Sequence, residues 1–394
     1  MTAALKNTSY DEDALVAAVT SVLPGSRPLP LHEPEFIGRE KEYLADCIDT
    51  GWVSSVGSYV DRFETLVAEK SGTRFGVACV SGTAALHIAL VAAGVSRDDE
   101  VLVQALTFVA SANAVYHAGA LPHFVDSEYA TLGLDPDALD AYLGEIAELR
   151  DGAAWNRLTG RRISAVVPMH VFGHPVRMER LAEVAERWHI IVVEDAAESL
   201  GSSRNGRPMG SFGKLAAVSF NGNKTITTGG GGAVVTDDEA LAKHLKHLTT
   251  TAKLPHRWAF DHDEVAYNYR LPNLNAALGC AQFEMLDRFL AEKRALAEAY
   301  ERALTGIPGV EFFREPDGCR GNYWLNAVLV PDRAARDSLL ERLNGEGIHA
   351  RPCWTPMHEL PFNRDCPRGP LGVTEALVDR IVNLPSSAKL GRRV

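Results

Sequence analysis

The sequence predicts an α/β protein in which a large, mostly parallel sheet carries helices on both faces and a smaller α+β unit follows. Three observations lead there. Short apolar runs alternate with helix-period stretches from about residue 30 to about residue 240. One long helical stretch runs from about Leu274 to Ala303. Beyond it the chain breaks into shorter strands and helices. Parallel strands joined by crossover helices are covered on both faces, so each reads as a continuous apolar run.

The elements follow in chain order. The first 30 residues end in the Pro/Gly-rich tract PGSRPLPLHEP and are expected to form an N-terminal arm or short helix. FGVACV (75–80) is expected as a buried strand and TAALHIALVAAG as the helix after it. EVLVQ, TFVASANAVYHAG and LPHFVD repeat the theme, followed by ISAVVPMH, RMERLAEVAERW and HIIVVED. GGAVVTD adds one more strand. VEFF, YWLNAVLV, RDSLLERLNGEG, IHARPCW and TEALVDRIVNL make up the smaller unit. The expected division is an arm over 1–30, a large domain over 31–290 and a small C-terminal domain over 291–394.

Composition narrows the function classes. The 394 residues are 46% hydrophobic and 23% charged, as in an ordinary globular protein. A net charge of −11 argues against nucleic acid or an anionic membrane as partner, although a local cluster of donors can still hold a small anion. The six cysteines are scattered, without a CxxC pair or a histidine at zinc-type spacing. They are expected to be reduced structural thiols of a cytoplasmic protein, with no metal site. Asp11, Glu12 and Asp13 precede only a short apolar stretch, so no secretory signal is expected. No apolar run approaches the ~18 residues of a membrane span.

The most informative stretch is SFNGNKTITTGGGGAVVTD (219–237), where Lys224 sits in a turn rich in Asn, Thr and Gly between two apolar strands. Glycines allow close approach to a ligand, and a lysine held there can condense with an aldehyde to a Schiff base. A solvated loop charge is the plainer alternative. The glycine run leads into a strand rather than a helix, which argues against dinucleotide binding. Upstream, Glu194 and Asp195 end the run HIIVVED, where open α/β sheets present ligand-contacting groups. A carboxylate there can keep a pyridine nitrogen protonated. The alternative is a helix N-cap, with Asp195 before AAESL and Glu198 at capping-box spacing.

In VSGTAALHIAL the backbone N–H groups of Gly82, Thr83 and Ala84 open a helix and can cradle a phosphate, although Ser/Thr-Gly also serves plain capping. Phe108 offers a stacking surface for a planar ring, or a core contact. Asn268 and Arg270, flanked by Tyr267 and Tyr269, suit anion or amide recognition, or a solvated loop with aromatic packing.

Together these stretches resemble the DegT/DnrJ/EryC1/StrS family of pyridoxal 5′-phosphate (PLP)-dependent sugar aminotransferases, from about Pro30 to Ser387. The segments PLHEPEFIGREKEYLADCIDTGWVSSVGSYVDRFE and RPCWTPMHELP are most similar to the LegC-like branch of the legionaminic acid pathway, which acts on 4-keto-6-deoxy nucleotide sugars. The resemblance implies PLP-dependent transferase fold type I, the aspartate aminotransferase architecture. It implies that Lys224 carries the cofactor as a Schiff base and shuttles the proton, that Asp195 binds the pyridine nitrogen, and that Phe108 stacks on the ring. Gly82, Thr83 and Ser219 would hold the phosphate, and Asn268 would reach it from a neighbouring subunit, making a homodimer part of the site. Glu198, near the cofactor hydroxyl, stands where many relatives carry Gln, and SFNGNK departs from the commoner SFHPTK. The family's dehydratases carry His in place of Lys224.

The implied reaction is ping-pong, with L-glutamate converting the cofactor to pyridoxamine 5′-phosphate and a UDP- or GDP-linked 4-keto-6-deoxy sugar taking the amino group at C4. Trp52, Ser54, Val56, Trp354 and His358 join Arg270 as candidate substrate contacts, with ordinary loop packing as the alternative. A 3-keto sugar or cyclitol acceptor is the competing reading within the fold. A non-catalytic PLP-binding regulator is the competing class, against which intact Lys224 and Asp195 and the missing helix-turn-helix extension argue.

Overall fold

A computed structural model describes residues 10–394. Its large sheet runs in the order Phe75–Cys79, Gly232–Thr236, Leu215–Ser219, Ile191–Asp195, Arg162–Val167, Glu100–Gln104, Leu121–Val125, with a hairpin, Ala147–Arg150 and Ala153–Asn156, extending from Arg162–Val167. From Leu215–Ser219 to Leu121–Val125 every neighbouring pair on this path is parallel. Gly232–Thr236 is antiparallel to both of its neighbours. The expected mostly parallel sheet is therefore the observed one.

Strand side chains alternate between two helical layers, which is why the runs read as uniformly apolar. Leu215, Ala217 and Val234 pack with the Gly82–Ala92 helix and its neighbours. Ala216, Val218, Ala233 and Val235 face the other way, against Phe63, Ala276 and Cys280. FGVACV stops at Cys79, because Val80 turns out of the sheet and is exposed.

The helix Asn273–Leu304 spans both parts of the molecule. Its first half buries Ala276, Ala277, Cys280 and Phe283 under the large sheet. From Leu296 onward it packs against Val328, Leu339 and Val382 of the smaller unit, together with Leu15, Val16 and Val19 of the helix Glu12–Val22. Asp11 caps that first helix at the N–H of Ala14. The smaller unit is a four-stranded antiparallel sheet ordered Glu311–Phe312, Asn326–Leu329, Ile381–Leu384, Arg351–Pro352. Among the described residues, no helix is long and apolar enough to cross a membrane.

Candidate active site

The carboxyl ends of the parallel strands, where such sheets bind ligands, open into a cavity of about 340 Å³. Ser81, Gly82 and Thr83 arrive from the first strand, Asp195 and Glu198 from Ile191–Asp195, and Ser219 and Lys224 from Leu215–Ser219. Trp324 and Trp354 reach in from the smaller unit. Phe108, the residue before the Val109–His117 helix, also lines the cavity and is 49% exposed, a large ring with open space over it.

One end of the cavity is an anion cradle. Ser81 caps the Gly82–Ala92 helix by accepting the N–H of Ala84 at 3.1 Å, while the N–H groups of Gly82 and Thr83 open the helix at its positive end. Ala84, expected in the cradle, is thus engaged by the cap. Glycine is obligatory at Gly82, where a Cβ would stand 2.7 Å from Ser219 Cβ. A Cβ on Gly232 would stand 2.4 Å from Ser81 O. This convergence sets the Ser219 hydroxyl beside the helix start.

Asp195 is held from two sides. Its Oδ2 accepts the Ser111 hydroxyl at 2.7 Å, and its Oδ1 accepts the N–H of Ala197 at 3.2 Å. No helix follows it, so the capping box expected as the alternative does not form. Glu198 turns instead toward the lysine: Oε1 lies 3.1 Å from Lys224 Nζ, and Oε2 accepts the N–H of Phe172 at 3.0 Å. Burial, with Asp195 adding repulsion, raises the Glu198 carboxyl to about 7 despite the opposing pull of Lys224 and Phe172 N–H. The amine of Lys224 also lies 3.9 Å from the centroid of the Trp324 ring, over its face. Glu194, one residue before Asp195, points away from the cavity and accepts backbone N–H groups from Gly210, Phe212 and Gly213.

Gly82, Thr83, Phe108, Asp195, Glu198, Ser219, Lys224 and Trp354 are therefore brought together as the sequence suggested. The remaining candidates lie elsewhere in this chain. Trp52 and Val56 are exposed on their loop, and Asn273 bonds the backbone oxygens of Trp52 and Ser54. Asn268 is exposed and accepts from the Arg270 guanidinium. His358 lies 3.4 Å from Glu375. Ser111 and Trp324 were missed: a serine on an apolar helix and a tryptophan opening a strand carry no local mark of a distant partner. His247, Asp263 and Glu264 converge on the surface, where the carboxylates already pair with imidazoles.

These residues fit PLP: a cradle for a phosphate, an oriented carboxylate for a ring nitrogen, an aromatic face, and an amine for an aldehyde. Fold and site define an enzyme that handles amines and carbonyls through a lysine. Residues 34–393 match the DegT/DnrJ/EryC1/StrS aminotransferase family, and the chain belongs to it. It is a PLP-dependent aminotransferase of fold type I. The chain is 36% identical to GDP-perosamine synthase of Escherichia coli O157:H7 over 92% of its own length and 94% of that protein's. It is 35% identical to GDP-perosamine synthase of Vibrio cholerae, covering 91% and 94% of the two chains. Among solved structures, DesI with its TDP-sugar product superposes with a TM-score of 0.81 at 30% identity, covering 94% of this chain and 92% of that one.

Proposed function

We propose that the protein moves an amino group from glutamate to C4 of a UDP- or GDP-linked 4-keto-6-deoxy sugar, in the cytoplasm and as a homodimer. The observation that carries the reading is Lys224 Nζ, 3.1 Å from Glu198 in a cavity that also holds Asp195 and the anion cradle. Relatives named for GDP-perosamine and a neighbour solved with a TDP-sugar support a sugar nucleotide as acceptor.

PLP, when bound, supplies a carbonyl that captures amines and a ring that takes up an electron pair. The chain's own residues do the rest. The N–H groups of Gly82 and Thr83, with the Ser219 hydroxyl, bind the phosphate. Asp195, oriented by Ser111 and Ala197, holds a proton at the ring nitrogen. Phe108, lining the cavity, would cover one face of the ring. Lys224 holds and moves the proton at Nζ, and Glu198, at about 7, is within reach to exchange it at neutral pH. Trp354, 6.3 Å from Phe108 between centroids, walls the space left for the acceptor.

The second subunit is supported by what lies outside the cavity. Asn268 and Arg270 are polar groups without a role inside this chain's cavity. Their loop exposes Trp258, Phe260 and Val265, and Trp52 and Val56 stand exposed on another loop. Contact residues on these loops would complete the site of the other copy.

The test is spectroscopic. Glutamate added to the PLP-loaded protein should shift the cofactor's visible band to that of its amine form, and the correct 4-keto nucleotide sugar should restore it. A band that ignores glutamate would point to another donor, and failure to bind PLP would overturn the reading. Lys224→Ala should stay folded while losing the visible band and all turnover.

A further inference from the structure

Transamination leaves the catalytic lysine uncombined for part of each cycle, and a free lysine side chain has four flexible bonds. Something must return its amine to one position. The structure offers a device on the smaller unit, at residues 322–324.

Trp324 is buried, and its Nε1–H donates to the carbonyl of Asn223 at 2.7 Å, one residue before Lys224. That bond presents the indole face to Lys224 Nζ, 3.9 Å from the ring centroid. Two residues set the indole from behind. Asn322 accepts the Trp324 N–H at 2.8 Å, while its amide donates to the carbonyls of Glu198 and Leu200 at 2.8 and 3.0 Å and to Thr225 Oγ1 at 3.3 Å. It thereby ties the Glu198 turn, the Lys224 turn and the indole into one unit. Lys293, fully buried on the long helix, donates to the Trp324 carbonyl at 3.2 Å, the Ser386 carbonyl at 2.6 Å and His32 Nε2 at 2.9 Å. A buried amine whose partners are two carbonyls and an imidazole is costly, and its burial lowers it to about 7. One of its three contacts is the backbone carbonyl of Trp324.

We propose that Trp324 is a positioning residue for Lys224: its indole face holds the free amine beside Glu198, and Asn322 and Lys293 fix the indole. The inference rests on the reading that Lys224 performs the amine chemistry. A cation over a desolvated indole face is attracted by the ring quadrupole, and a saturated side chain of similar size lacks that attraction.

The test uses the full chain labelled with 13C-lysine, with the Lys224 signal assigned by its loss in Lys224→Arg. In protein whose lysine is uncombined, the ε-methylene protons of Lys224 should be shifted upfield by the indole ring current. Trp324→Leu should abolish the shift, Trp324→Phe should keep part of it, and Asn322→Ala should move it without touching the amine. In the donor half-reaction, Trp324→Leu should lower kcat about tenfold with KM for the donor unchanged, and Trp324→Phe should recover most of the rate. A Lys224 signal at the ordinary lysine position in the unsubstituted protein, or one indifferent to Trp324→Leu, would overturn the inference while leaving the proposed reaction intact. Failure to bind PLP would remove the reaction, yet the ring-current shift would remain and uphold the contact.

Discussion

Glu194 and Glu198 lie four residues apart at the end of one strand, and both are buried. Their surroundings differ. Glu194 accepts the N–H groups of Gly210, Phe212 and Gly213 at 2.6–2.8 Å, and His170 Nε2 lies at 3.1 Å. Glu198 has one N–H, from Phe172, and one amine, from Lys224. A carboxylate surrounded by rigid backbone donors is an anchor that pins the 208–213 turn to the sheet. Glu198 has fewer donors and a lysine amine as partner, and burial raises its carboxyl to about 7. Depth of burial therefore says little about role; the number and stiffness of the donors decide it.

The largest effect expected from breaking this contrast is at the anchor. Glu194→Ala would strand three backbone donors and an imidazole, and should cost about 3–5 kcal/mol in chemical denaturation. Stability near that of the unsubstituted protein would mean that the turn is held by other contacts.

Glu198→Gln should instead change pH dependence. The Glu198 carboxyl is raised from 4.5 to about 7 in the folded chain, so between those values the folded state binds a proton that the unfolded state lacks. Its contribution is complete below pH 4.5 and is lost as pH rises through 7, a fall of about 3 kcal/mol. In the cofactor-free protein, Glu198→Gln should remove that part of the slope. Identical stability–pH curves for the two proteins would assign the slope to other groups.

The smallest effect sharpens the position of Asp195 between the two glutamates. Ser111→Ala removes the 2.7 Å bond to Oδ2 and leaves the Ala197 N–H in place. PLP affinity should fall about threefold to tenfold, measured by equilibrium titration. No change in affinity would show that the Ala197 contact suffices to orient the carboxylate.

Much of the fold was legible because its signals are local. Double-sided burial makes Val101–Val103 and Ile191–Val193 continuous apolar runs, and helix-period stretches alternate with them along the chain. The shared location of Ser81–Thr83, Asp195 and Ser219 was legible for a related reason: parallel strands deliver them to one edge, so motifs distant in sequence meet in one cavity. Glu198 was legible as a polar residue near the site, whereas its pairing with Lys224 was not, because capping-box spacing and a turn toward a lysine look alike in one dimension. The loop at 51–57 and residues 268 and 270 lie outside this chain's cavity, so their chemistry was readable but their partner was not.

By itself the sequence determined the α/β alternation, the lysine in its glycine-rich turn, the strand-end carboxylate and the helix-start anion cradle. Each depends on residues within one turn or one strand end, where spacing alone sets geometry. Only the tertiary structure decided that Glu194 takes three backbone N–H groups while Glu198 pairs with Lys224, that Ser111 bonds Asp195, and that Trp324 from the second unit faces Lys224. Those outcomes depend on which donors packing brings from 16 to 101 residues away, and packing distance is not written into local spacing.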